Sequence, residues 1–187
     1  MSDPSPSSPP AAVPTSADQA DRADLGPTGA GAVKARRARP GEEAEVARLR
    51  NLMIATLFGP QEDGPWTAET LSRLARWFAD PDAHTVAYVI EAPDGQGLAA
   101  SAIGTFFERL PGAHSPNGTV GYVYGVSTDP RWQRRGYSRA VMTALLEWFD
   151  QHGVSRIDLH ASEFGEELYR QLGFTDSVAK ALVRHRH

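Results

Sequence analysis

Apolar side chains change their spacing along this chain, and each change marks a boundary between elements. From residue 137 to residue 152, Tyr137, Ala140, Val141, Ala144, Leu145, Trp148 and Phe149 recur at intervals of three and four, which predicts one apolar face of a helix ending at Gly153. The next run, Ser155-Arg156-Ile157-Asp158-Leu159-His160-Ala161, alternates apolar with polar residues and predicts a half-buried strand. Ahead of the helix, Thr119–Thr128 also reads as a strand, interrupted by Gly125, a residue that within a strand marks a bulge or a close backbone approach. A helix joining two strands predicts a crossover unit.

The same reading extends in both directions. Val33-Lys34-Ala35-Arg36-Arg37-Ala38 predicts a first strand, and Pro40-Gly41-Glu42-Glu43 opens a helix with Val46, Leu49, Met53 and Leu57 on one face. Thr67 is the expected cap of a second helix over residues 67–80, with Leu71, Leu74 and Phe78 facing inward and Asp80-Pro81 as its stop. Phe58–Trp66, with its Gly, Pro and Asp, reads as the loop between them. His84–Glu91 and Leu98–Phe107 predict a hairpin around Pro93-Asp94-Gly95, and a longer turn, Glu108–Gly118, leads into the strand that ends at Thr128. Beyond residue 161, Ser162 is the expected N-cap of a short helix with acidic residues in its first turn and Gly173 as its C-cap. These elements describe an α/β domain with a central mixed sheet and helices on both faces.

Composition changes the picture at the N-terminus. Residues 1–32 are rich in Pro, Ser, Ala, Gly and Asp with almost no large apolar side chain, so they are expected to form a disordered tail. They lack the charged start and apolar core of a secretory signal and the arginine-rich character of a transit peptide, which points to the cytoplasm. The ordered domain is expected over residues 33–187. With no cysteine, the chain forms no disulfide, no thiolate metal site and no cysteine nucleophile. The scattered histidines, including His185 and His187 at the end, lack the spacing of a metal site. A net charge of −4 gives no reason to expect nucleic-acid binding, and no apolar run has the length of a membrane span.

Against that acidic background the segment Val126-Ser127-Thr128-Asp129-Pro130-Arg131-Trp132-Gln133-Arg134-Arg135-Gly136-Tyr137-Ser138-Arg139 stands out as a strand end, an arginine-rich loop and a helix start. Unpaired N–H groups at a helix N-terminus, the helix dipole and forked guanidinium donors suit an anion such as a diphosphate. Gln133-Arg134-Arg135-Gly136-Tyr137-Ser138 resembles the coenzyme A pyrophosphate loop of the GNAT superfamily of N-acetyltransferases, with Ser138 where that pattern prefers Gly or Ala. Leu168-Tyr169-Arg170-Gln171-Leu172-Gly173-Phe174 resembles the last helix of the same family, and the likeness spans roughly residues 33 to 185.

The resemblance implies a mostly antiparallel sheet splayed at its fourth strand and acetyl-CoA as acyl donor, bound by Val126, Ser127, Thr128, Gln133, Arg134, Arg135, Gly136, Tyr137, Ser138 and Arg139. It also implies Tyr169 as the general acid that protonates the departing thiolate, where the plain alternative is a core aromatic. Many relatives carry a carboxylate base on the fourth strand, whereas Thr119–Thr128 holds only Tyr122 and Tyr124 as titratable side chains. Glu108 is the first candidate base, followed by Glu91, His160 or a chain of water. The expected activity is acetyl transfer to a primary amine of a small molecule or protein, without a metal, in a protein whose relatives are commonly homodimers. A coenzyme A–binding module without chemistry and a nucleotide-phosphate binder remain the alternatives.

Overall fold

The computed structural model of the protein describes residues 33–178 and 181–184. The expected disordered tail, residues 1–32, and the terminal His185-Arg186-His187 lie outside the described residues. Five strands form one sheet in the order β1-β2-β3-β4-β5: β1 Arg36–Arg37, β2 Thr85–Glu91, β3 Leu98–Glu108, β4 Thr119–Thr128 and β5 Arg156–Leu159. The first four pair antiparallel, while β4 and β5 run parallel, joined by the crossover helix α3 Tyr137–Gln151. Helices α1 Glu43–Phe58 and α2 Pro65–Ala79 precede β2, and the short α4 Glu166–Gln171 follows β5.

The two faces of the sheet carry separate cores. On one, Val141, Met142, Leu145 and Phe149 of α3 pack on Val86, Ile90, Ala100, Ala102 and Val123, with Tyr169, Leu172 and Phe174 at the margin. On the other, Val46 and Leu49 of α1 and Leu74 of α2 pack on Ala87, Val89 and Ile103. Alternate residues of β2 serve opposite cores, which is why Thr85–Ile90 reads as an almost continuous apolar run. Among the described residues, no helix is long and apolar enough to cross a membrane.

Four local expectations are corrected. The first strand shrinks to Arg36–Arg37, because Arg36 pairs with Glu42 at 2.6 Å while Glu42 also accepts the Arg39 N–H at 2.8 Å, pulling the chain out of the sheet edge into α1. Leu57 is 45% exposed, since only the first half of α1 lies over the sheet. Thr67 stands at the third position of α2, where its hydroxyl accepts the N–H of the capping Gly64 at 3.3 Å, and Pro65 takes the first helical position. Ser162 does not cap α4; its carbonyl accepts from Gly165 and Glu166, and Gly165 is the cap.

Candidate active site

The parallel pairing of β4 with β5 begins at Val120↔Arg156 and stops at Val123↔Leu159, although β4 continues to Thr128. Among the described residues, the β5-facing edge of β4 has no strand partner from Tyr124 onward, so a gap opens between the two strands. A bulge against β3 sits at the same place: the register steps from Ile103↔Tyr124 to Ser101↔Ser127, and Gly125 takes φ 65°. The Asp129 N–H returns to Ala99 O at 2.8 Å. Strand alternation then turns the N–H of Ser127 toward β3 and those of Val126 and Thr128 toward the gap.

Asp129, 4% exposed, fixes the chain where it leaves the sheet. Its carboxylate accepts from the Arg131 N–H at 3.0 Å, from the Arg131 guanidinium at 3.1 and 3.2 Å, and from Arg48 of α1 at 2.8 Å. Arg48 also donates to Glu45 and to Leu98 O, and Glu45 accepts the Leu98 N–H, so α1, the start of β3 and the end of β4 share one polar network. Hydrogen bonds from the Arg131 side chain, then its N–H and Arg48, hold the Asp129 carboxyl at a pKa of about 2. Sequence reading missed this network. Asp129-Pro130 reads as a turn, and nothing in the spacing of Glu45 and Arg48 signals a partner beyond residue 90.

After the 3-10 turn Pro130–Trp132, the chain runs through Arg134 at φ 62° and Gly136 at φ 77° into α3. Among the described residues, the backbone N–H groups of residues 133–139 donate no hydrogen bond, since the first helical one comes from Ala140 to Gly136 O. The side chains divide by role. Gln133 reaches back to Thr128 O, Ser138 Oγ lies 2.7 Å from Thr128 Oγ1, Tyr137 is buried in the core, and Arg139 donates to Gln171 of α4. Arg135 stacks on Trp132 at 5.0 Å, and neither it nor Arg134 forms an ion pair among the described residues. A run of free N–H donors with two uncommitted guanidinium groups fits a diphosphate, so the residues present suit the coenzyme A that the sequence suggested.

The side chains with proton chemistry are distributed unevenly. Tyr169 is half-buried beside Phe174, its hydroxyl makes no hydrogen bond among the described residues, and burial pushes its pKa up. Tyr122 and Tyr124 lie on the opposite, α1-facing side of β4, their rings 6.0 Å apart, and His160 Nδ1 sits 2.7 Å from the Tyr122 hydroxyl. His160 is the first residue after β5 ends. The structure does not bring Glu108 to this gap: it is exposed and pairs with Thr119, about 20 Å from Gly125 at about 3.3 Å per residue. Glu91 lies two strands away and accepts from Arg36 at 2.8 Å. Register decides both placements, and register is invisible in the spacing of one strand.

The chain matches the family model described as the Acetyltransferase (GNAT) family over residues 51–174. It is similar to the crystal structure of a predicted acetyltransferase with acetyl-CoA from Clostridium acetobutylicum, at 19% identity and TM-score 0.70, covering 82% of this chain and 99% of that one. A GCN5-related N-acetyltransferase from Ralstonia eutropha JMP134 is similar at 22% identity and TM-score 0.66, covering 81% and 97%. Glucosamine-6-phosphate N-acetyltransferase from Arabidopsis thaliana is similar at 16% identity and TM-score 0.64, covering 82% and 98%. At these identities the structural likeness speaks for the fold. No curated protein matches the chain.

Proposed function

The chain belongs to the GNAT acetyltransferase family, and from that premise we propose that it transfers the acetyl group of acetyl coenzyme A to a primary amine by direct attack. Residues 33–187 are assigned as the transferase domain. The bound donor supplies an activated carbonyl and a thiolate leaving group. The observation that carries the reading is the run of N–H groups at residues 133–139 that are free among the described residues, one short turn beyond the edge of β4 that β5 leaves uncovered.

Each residue has a task that follows from its chemistry. Arg134, Arg135 and the N-terminus of α3 hold the diphosphate, and Gly136, with no atom within 4 Å of an added Cβ, leaves the approach open. The Val126 and Thr128 N–H groups bond the pantetheine arm and polarise the acyl oxygen, while Ser127 keeps the bulge in register with Ser101. Tyr169 is the general acid, because burial keeps its phenol protonated and able to give a proton to sulfur. As the carbon–nitrogen bond forms, the carbon–sulfur bond breaks and sulfur takes the Tyr169 proton. The nitrogen sheds one proton before attack and one after it, the phenol recovers one, and the overall reaction releases one.

Thiol release from acetyl coenzyme A, followed against a panel of primary amines, tests the reading, with amine-dependent turnover the expected result. Tight coenzyme A binding with no turnover on the panel would identify a binding module without chemistry. Tighter binding of ATP than of coenzyme A in isothermal titration would reject the donor site.

A further inference from the structure

Direct attack needs an acceptor for the ammonium proton, and β4 offers no carboxylate. Two features converge at the mouth of the gap instead. His160 is the next residue after Leu159, the last β5 position paired with β4, and so flanks the opening across from Tyr124. Its Nδ1 is 2.7 Å from the Tyr122 hydroxyl, with the two rings edge to face at 5.9 Å, so the imidazole is held in one orientation while its residue stays exposed. Resting on the acetyl-transfer reading, we propose that His160 is the general base for the acceptor amine and that Tyr122 positions it.

The geometry gives each atom a role. With the proton on Nδ1 donated to the Tyr122 oxygen, Nε2 carries the lone pair, takes the ammonium proton and passes it to water. The imidazolium so formed keeps the same Nδ1 hydrogen bond, and no other bond changes. Asp158 lies two residues earlier, in β5 opposite Tyr122, and pairs with Arg156 at 3.0 Å. Tyr124 packs into the α1 and α2 core, whereas Tyr169 packs into the α3 core, so base and acid stand on opposite sides of the sheet at the gap. An amine entering from the α1 side meets the base first and leaves the sulfur side to the acid. Glu108 and Glu91 offer no comparable placement.

Steady-state kinetics with acetyl coenzyme A and the amine panel test this with His160→Ala, His160→Gln and Tyr122→Phe. The expected result is a fall in kcat of about 10²-fold in both His160 variants. Coenzyme A affinity by isothermal titration stays at the wild-type value. Free imidazole restores turnover to His160→Ala and not to His160→Gln, whose side chain fills the site. Tyr122→Phe lowers kcat less and leaves the KM for acetyl coenzyme A unchanged. Wild-type kcat in either His160 variant, or a loss in His160→Ala that imidazole leaves untouched, overturns the assignment alone. A wild-type enzyme silent on every amine overturns the transfer reading, and this one with it.

Discussion

At the scale of single residues, the proposed acid chemistry rests on Tyr169, and Asp129 governs how well the frame of the site survives acid. Burial raises the Tyr169 pKa, which holds the proton in place at neutral pH. Replacing it by Phe keeps the ring and removes the proton, so kcat is expected to fall by about 10² or more with coenzyme A affinity unchanged, as steady-state kinetics and titration calorimetry would read. Asp129 works in the opposite sense. Its folded pKa of about 2 lies below the ordinary 3.8, so its contribution to stability is complete above pH 3.8 and drains away as pH falls toward 2. That contribution is on the order of 2 kcal/mol, and Glu42 and Glu45, lowered chiefly by hydrogen bonds from Arg36 and Arg48, add to the same slope. Acid unfolding followed by circular dichroism is expected to show a shallower loss between pH 4 and 2 in Asp129→Asn, from a lower starting stability; an unchanged slope would remove Asp129 from this role.

At the scale of elements, the segment from β4 to α3 depends on backbone shape more than on its arginines. Gly136 at φ 77° lets the chain turn into α3 with its N–H groups exposed. A Cβ there costs about 1–2 kcal/mol in that conformation, so Gly136→Ala is expected to weaken coenzyme A binding by about tenfold in isothermal titration through a displaced loop. An affinity equal to wild type would mean that the turn is not what presents the donors. The loop motif was legible in sequence because residue identities, Gly136 above all, dictate its conformation. The side-chain assignments were less so: Gln133, Tyr137 and Arg139 are committed to Thr128, the core and Gln171, which depends on neighbours distant in sequence. The crossover helix and Gly173, at φ 92° just past α4, were also legible, since apolar period and a left-handed cap are local properties.

At the scale of the whole molecule, the proposed site draws on β4, α3, α4 and the end of β5, and the Arg48–Asp129 pair ties the end of β4 to α1. Coenzyme A binding only the folded state is expected to stabilise it by about 2.7 kcal/mol at a hundredfold excess over Kd. For a domain of this size that raises Tm by roughly 5–10 °C, with ATP giving a clearly smaller shift in the same thermal scan. Equal shifts would point to a generic phosphate site. The sequence by itself determined the elements, the glycine-shaped loop and the tyrosine of the last helix, because periodicity, caps and positive φ are written within a few residues. Only the tertiary structure decided where β5 leaves β4, that Glu108 pairs with Thr119 far from that point while His160 meets the Tyr122 hydroxyl, and that Asp129 is clasped from α1. Those depend on strand register and on which faces pack together, and such choices are settled by contacts between segments far apart along the chain.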